Sequence, residues 1–432
     1  MKVNIPPGVF DLIPFNEKEP WKSSSIWQFI EKTIREVTSL YGYKEIRTPI
    51  FERTELFQRS SGDESDIVSK EMYTFLDKGG RSLSLRPEGT APVMRAFVEN
   101  RLDASLHQKL YYIAPMFRYE RSQAGRYRQH HQFGVEAIGS GLPEQDVEVI
   151  DLLFTFYQKL GLKGLSLSIN SLGGQQTRQR FKKALKEYLS PRQDQLSVES
   201  QRRFATNPLR ILDSKDLKDQ ELLKLAPNIL NFLSPEDENH FVAVQQLLTA
   251  LQIPYQVNSN LVRGLDYYNK TVFEVVAGQL GAQNSIGGGG RYDGLLSQVG
   301  GAALPSFGFG TGLERIIQTM LQQQIELPLV SPPFVYLIAL DKASQFFCFK
   351  LLHQLRLVNL PAQMDFSGKK IGKVMQTADQ MKASFTLICG SDEMEKKAVS
   401  LKEMQSGKIY TATFAEILPL TQKLYSQKAA EK

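Results

Sequence analysis

The sequence predicts an α+β protein of two or three domains, and three observations carry that expectation. Two strand-patterned segments, "LYYIAPMFRYE" and "HQFGVEAIG", flank a short arginine-rich loop. A charged helical tract from about Gln176 to Leu251 separates them from a second group of strand signals and reads as an inserted helical subdomain. Beyond the linker "QQQIELPLVSPP", strand and helix patterns alternate as in a compact α/β module. At 432 residues the chain is too long for one ordinary core. Its 42% hydrophobic and 23% charged content are those of a folded soluble protein.

Taken in order, the N-terminus "MKVNIPPGVFDLIP" has prolines and an acid where a signal peptide needs an apolar stretch. The longest apolar run, "FVYLIAL", is far below membrane-spanning length, so a cytoplasmic protein is expected. Apolar residues at three- and four-residue intervals predict a helix over Ser24 to Tyr41, closed by Gly42. "YKEIRTPIF" then alternates like a strand. Pro49 stops it, which places it at an edge or interface and makes it a dimerisation candidate.

In the first of the paired strands, period-two geometry sets Ala114, Met116, Arg118 and Glu120 on one face; in the second it groups Gln132, Gly134, Glu136 and Ile138. Gly134, bare of side chain, leaves room for a ligand against the sheet. Arg121, Arg126 and Arg128 lie on the joining loop, which suits either a phosphate grip or a solvated turn. After the helical tract come "KTVFEVVAG", the glycine run "SIGGGGRYDGL", and "PSFGFGTGLERIIQTM", a short strand turning through Gly308, Gly310 and Gly312 into a helix with Arg315 in its first turn. In the last module "FVYLIAL", "PAQMDF" and "SFTLICG" are the strand signals. From Pro333 onward there are fourteen Lys and Arg against nine Asp and Glu, which accounts for most of the net charge of +6. Such a module suits nucleic acid or a merely solvated surface.

Several chemistries are excluded or disfavoured. The five histidines show no metal spacing, so no protein-only metal site is expected. Cys348 and Cys389 lie among apolar neighbours and read as buried free thiols. There is no phosphate-loop motif, and "GFGTGL" has Leu313 where a dinucleotide fingerprint wants its third glycine. What remains is Arg118, Arg263 and Arg315, each at a strand or glycine turn, with no nucleophilic triad. Arg263, in "NLVRGLDYY", reads as a partly desolvated cation whose partner is either the nearby Asp266 or a ligand anion. Positioned cations with little proton transfer suit attack on a phosphate, for example by a carboxylate on the α-phosphate of ATP.

Those residues bring out a resemblance that runs nearly end to end. "GYKEIRTPIF", "FRYERSQAGRYRQHHQFGVE" and "GFGTGLERI" resemble, in order, the three motifs of class II aminoacyl-tRNA synthetases. "RPEGTAP", "LVRGLDYY" and "GGGGRYDGL" resemble stretches particular to the bacterial-type histidyl-tRNA synthetases. His130 stands where that family commonly has an aromatic residue, and "PPGVFDLIP" follows its entry segment loosely. The resemblance implies a mostly antiparallel sheet flanked by helices, a helical insertion and a C-terminal α/β anticodon-binding domain. It divides the chain into a catalytic domain at 1–170 and 255–325, a helical insertion at 171–254, a linker at 326–332 and the anticodon-binding domain at 333–432.

The same resemblance implies roles. Arg118 and Arg315 would hold the α- and γ-phosphates of ATP, and Glu120 would help to place the nucleotide. Glu88, Thr90 and Gln132 would bind the α-amino group of histidine. Glu136 and Tyr268 would hold the imidazole, with Tyr267 and Tyr292 closing the pocket. Arg263 would bridge the substrate carboxylate and the α-phosphate, while Gln123 and Arg126 would meet the acceptor end of tRNA(His). Mg2+ would arrive with ATP, and the protein would be a homodimer. Two rivals stand beside this: a non-charging regulatory subunit of ATP phosphoribosyltransferase built on the same fold, and a purely nucleic-acid-binding protein. The first tends to lose the arginine-bearing motif and the C-terminal domain, and the second has no use for a Gln132, Gly134, Glu136 pocket.

Overall fold

A computed structural model of the chain describes residues 3–61, 65, 67–104, 107–120, 125–278, 285–327 and 332–430. It divides into two compact units, Met1–Leu327 and Pro328–Lys432.

The first unit contains, among the described residues, strands β1 (Lys44–Glu45), β2 (Phe51–Arg53), β3 (Thr74–Leu76), β4 (Ser82–Leu85), β5 (Gln108–Phe117), β6 (Gln129–Ile138), β7 (Leu165–Ser171), β8 (Tyr255–Val257), β9 (Asn269–Ala277), β10 (Ser285–Arg291) and β11 (Ser306–Gly312). Eight form one sheet in the order β1-β5-β6-β11-β10-β9-β7-β8, and β2, β4 and β3 form a small second sheet. Only the edge pairs, β1 with β5 and β7 with β8, are parallel, so the sheet is mostly antiparallel as expected.

Alternation along the strands decides what each face does. Phe133, Val135 and Ala137 of β6 and Phe307 and Phe309 of β11 point into a core shared with the helices Ser24–Leu40, Pro143–Lys159, Pro235–Ala250 and Leu313–Gln322. The intervening Gln132, Gly134, Glu136, Gly308 and Gly310 line up on the opposite face by register. That face is only partly apolar, and the site forms there.

The helix over Ser24–Leu40 buries Ile26, Trp27, Ile30, Ile34 and Val37 on one side. It ends as its glycine demands: Gly42 takes φ +76°, its N–H reaches the Ser39 carbonyl and the Tyr43 N–H reaches that of Thr38. "YKEIRTPIF" forms only the two-residue edge strand β1 before Pro49, and then β2 in the other sheet. β5 stops at Phe117, so Arg118 and Glu120 lie beyond the strand rather than on its face. The helical tract shares the cores of the unit: Phe181, Leu185 and Ile211 pack with Tyr267 and Tyr292, and Phe241, Val244 and Leu248 join the core under the sheet. The glycine run is itself a strand, β10, between β9 and β11.

The second unit is an α/β module with strands β12 (Val335–Ala339), β13 (Ala362–Met364), β14 (Phe385–Cys389), β15 (Ala398–Glu403) and β16 (Ile409–Thr413). The order is β13-β12-β14-β15-β16, parallel over the first three and antiparallel over the last two. Its core holds both cysteines as buried free thiols. No helix among the described residues is long and apolar enough to cross a membrane.

Candidate active site

One cavity of about 270 Å³ opens on the polar face of the large sheet. It gathers most of the residues that the sequence singled out: Glu88, Thr90, Gln132, Tyr267 and Tyr268, with Arg118, Glu120, Arg126, Arg263 and Arg315. Glu136 and Tyr292 do not line it; they are fully buried and reach it through Thr90. Gln123 and Arg121 lie outside the described residues.

The acidic end is built on β6 and on the helix Thr90–Glu99. Glu88 accepts hydrogen bonds from the backbone N–H groups of Thr90 and Ala91, at 2.7 and 2.9 Å, so it caps that helix while facing the cavity. Burial pushes its pKa up, against those amides and Arg118. Glu136 accepts from the Thr90 hydroxyl at 2.8 Å and from the Tyr292 hydroxyl. Burial raises its pKa to about 8, the two hydroxyls oppose the shift, and Glu88 adds to it. Tyr267, Tyr268 and Tyr292 pack ring on ring beside it, with centroids 4.6 to 6.2 Å apart.

The basic end is held by carbonyl oxygens. Arg118 donates from Nε to the Pro87 carbonyl at 2.8 Å and lies 3.9 Å from Glu120, which Arg126 approaches at 3.4 Å. Arg315, in the first turn of the helix Leu313–Gln322, donates to the carbonyls of Ser285 at 2.6 Å and Gly125 at 3.3 Å. Burial lowers its pKa, and Arg126 and Arg118 add to that. Four guanidinium groups around one cavity make a site for an anion.

Arg263 does not pair with Asp266. Its Nη1 lies 3.4 Å from Glu274 on β9, and its buried Nε has no hydrogen-bond partner among the described residues. Asp266 instead accepts from the Asn207 side chain at 2.8 Å. The structural alternative for Arg263 therefore had the wrong partner: the loop turns Asp266 outward, while Arg263 lies across the sheet. A Cβ at Gly288, which pairs with Glu274, would sit 2.8 Å from Arg263 Nη1. Glycine there lets the guanidinium lie on the backbone.

Gly134 also differs from expectation. The space above it is filled by the ring of Tyr112, its partner on β5, which a Cβ would meet at 2.3 Å. Tyr112 is the residue that sequence reasoning missed. Burial, then Glu136 and Glu88, push its hydroxyl well above the usual tyrosine range, so the phenol stays protonated between two carboxyl groups. Its signal was present, as an aromatic facing a glycine across a hairpin. Glu274 was also missed, although an acid among the valines of "KTVFEVV" marks a polar site. His130 lines the basic end, and burial, then Arg118, His131 and Arg315, lower its pKa to about 3. It is neutral at physiological pH.

Comparison with known proteins shows the family. The family model described as histidyl-tRNA synthetase matches residues 19–316, and that of an anticodon binding domain matches 334–424. A histidine–tRNA ligase of Protochlamydia amoebophila is 61% identical over 420 residues, covering 97% of this chain and 99% of that protein. One from Chlamydia felis is 47% identical over 420 residues, covering 96% and 97%. The crystal structure of apo histidyl-tRNA synthetase from S. aureus superposes with a TM-score of 0.82 at 36% identity, covering 97% of this chain and 100% of that one. A Bacillus halodurans structure titled as an ATP phosphoribosyltransferase regulatory subunit/histidyl-tRNA synthetase shares the fold, with a TM-score of 0.65 at 22% identity, covering 90% and 99%. Fold and motifs together define an aminoacyl-tRNA synthetase with its anticodon-binding domain. The chain belongs to the histidyl-tRNA synthetase family.

Proposed function

We propose that the chain joins L-histidine to tRNA(His) in two steps within the cavity described above. A carboxylate oxygen of histidine attacks the α-phosphorus of ATP, the bond to the β-phosphate breaks, and diphosphate leaves with its electron pair. The ribose hydroxyl at the tRNA terminus then attacks the acyl carbon of the histidyl-adenylate, the acyl–phosphate bond breaks, and AMP departs with the electron pair while the hydroxyl proton passes to a phosphate oxygen or to solvent. The first step needs no general base, because the attacking carboxylate is already ionised.

The observation that carries this reading is the division of one cavity into a carboxyl end and a guanidinium end. We assign Arg118 and Arg315 to the α- and γ-phosphates, Glu120 to placing the nucleotide, and Arg263 to the bridge between carboxylate and α-phosphate. Glu88, Thr90 and Gln132 receive the α-amino group. Glu136 and Tyr268 hold the imidazole, with Tyr267 and Tyr292 around it. A buried carboxyl rewards the one amino acid whose side chain brings an imidazole N–H, since that donor favours its ionised form. To reach Glu136, the imidazole displaces or shares the Tyr292 hydroxyl. Gln123 and Arg126 are assigned to the acceptor end of the tRNA.

No three His, Cys, Asp or Glu converge to hold a metal ion among the described residues. We assign Mg2+ to the nucleotide, with Glu120 and Glu274 as the nearby carboxylates. Bound there, it would neutralise phosphate charge. The domain division at 1–170, 171–254, 255–325, 326–332 and 333–432 belongs to the same reading. So does a homodimer joined near the edge strand β1, where Ile50 and Phe51 are exposed. The cytoplasm is the compartment that the reaction implies. A regulatory subunit without charging activity is not favoured, because the three arginines and the C-terminal module are all retained. The test is exchange of labelled diphosphate into ATP without tRNA: it should require histidine, and its absence in a folded preparation would overturn the proposal.

A further inference from the structure

The loop between β8 and β9 carries Arg263, Tyr267 and Tyr268, yet residues 261–268 belong to no helix or strand. A loop of that kind has no ladder to hold its carbonyl groups or to fix its side chains. The helical tract supplies what the ladder would. Arg178, on the helix Gln175–Leu189, donates from Nη1 to the carbonyls of Tyr268 at 2.9 Å and Asp266 at 3.3 Å. Arg210, in the short turn Pro208–Ile211, donates to the Gly264 carbonyl at 2.6 Å. Asn207, which caps the helix Val198–Thr206, donates to the Asp266 carboxylate at 2.8 Å.

The contacts fall on residues 264, 266 and 268, so the loop is gripped at every second carbonyl along its outer edge. Tyr267, between two gripped residues, is turned inward and buried, and so is the ring of Tyr268. Arg263, immediately before the first grip, is left with one 3.4 Å contact to Glu274 and a buried Nε without a partner among the described residues. Its placement therefore depends on the backbone that carries it. Burial lowers the pKa of Arg178 and Asp266 opposes the shift, consistent with a cation committed to this loop rather than to water.

We propose that Arg178, Asn207 and Arg210 are positioning residues for histidine activation: they touch no substrate, but fix the loop that sets Arg263 and the two tyrosines. The inference rests on the proposed function for what the cavity binds, and adds that the helical tract belongs to the machinery of the first step, before any tRNA is present.

The test uses the full chain and diphosphate exchange without tRNA, titrating histidine and ATP separately, with a thermal melt of each variant. Arg178→Ala and Asn207→Ala should each raise KM for histidine or lower kcat, and together the loss should reach roughly 100-fold, the scale of a displacement of about 1 Å in a reacting group. KM for ATP should change little, since Arg118 and Arg315 are held by other carbonyls. Arg178→Lys should restore part of the loss, because one ammonium can still reach one of the two carbonyls. The double variant should lose less than the product of the two single losses, because both act on one loop. Parental kinetics in both alanine variants would overturn the proposal, as would a loss of activity that only follows a lowered Tm. Histidine-independent behaviour of the parental protein would instead overturn the proposed function.

Discussion

The two ends of the cavity are built by opposite means. At the acidic end, Glu88 and Glu136 are buried and already satisfied by the protein's own donors, the amides of Thr90 and Ala91 and the hydroxyls of Thr90 and Tyr292. At the basic end, Arg118 and Arg315 are held by backbone carbonyls through one or two of their five N–H groups, and among the described residues the rest of each fork makes no further hydrogen bond. The difference is one of selectivity against force. An end satisfied from within accepts a ligand only if the ligand replaces those donors well, whereas an end of pre-placed cations waits for charge to develop.

The largest effect should come from breaking the basic end at Arg263. Replacing it with alanine should slow adenylate formation by roughly 100- to 1000-fold, on the scale of removing one preorganised donor. Lysine should restore little, because a point charge cannot touch a carboxylate and a phosphate oxygen together. Thermal stability should barely move, since the ion pair with Glu274 is long and partly solvated. An early melt with adenylation at the parental rate would show a structural arginine instead.

A smaller effect is expected at the acidic end. Glu136→Ala should weaken histidine by about 1 to 3 kcal/mol, the cost of an unpaired donor, or roughly 5- to 150-fold in Kd. ATP affinity should stay close to parental. Isothermal titration with each ligand separates the two, and a loss confined to ATP would mean that β6 serves the nucleotide.

A third effect concerns pH and is read in stability rather than in binding. Glu136 has its pKa raised from 4.5 to about 8, so between those values the folded state binds more protons than the unfolded state. Stability should therefore fall as pH rises through that window, and the contribution of this carboxyl should be fully lost above it. Glu136→Gln removes the titration. Melts at about pH 5.5 and about pH 8.5 should show a smaller decline for this variant than for the parental chain; equal declines would contradict the burial argument.

Much of the scaffold was legible because periodicity and terminators agreed. The helix at Ser24–Leu40 combined a one-sided apolar stripe with Gly42, and in the C-terminal module β12 was a continuous apolar run, β14 was apolar but for Thr386, and β13 was a short alternation of buried and exposed residues. β15 and β16 were not read, since "AVSLKE" and "IYTAT" carry polar, exposed residues at alternate positions and bury one thin face. β10 was read as a glycine run because glycine is a poor strand former. It forms a strand because its neighbours require the space: a Cβ at Gly289 would sit 1.9 Å from the Gly308 carbonyl oxygen. The members of the site were legible as motifs, but their pairings were not. Asp266 was near Arg263 in sequence, while the residue that meets Arg263 is eleven positions on and reached only across a strand.

The separation of the two ends can be tested most directly by steady-state diphosphate exchange on Glu136→Ala, Arg315→Ala and the double variant, with KM for histidine and for ATP measured in each. Glu136→Ala should move chiefly the histidine KM and Arg315→Ala chiefly the ATP KM. In the double variant the two changes should combine to within about 0.5 kcal/mol of additivity, as for independent sites. If either single variant moved both constants equally, or the double variant departed strongly from additivity, the division of the cavity into an amino-acid end and a phosphate end would be contradicted.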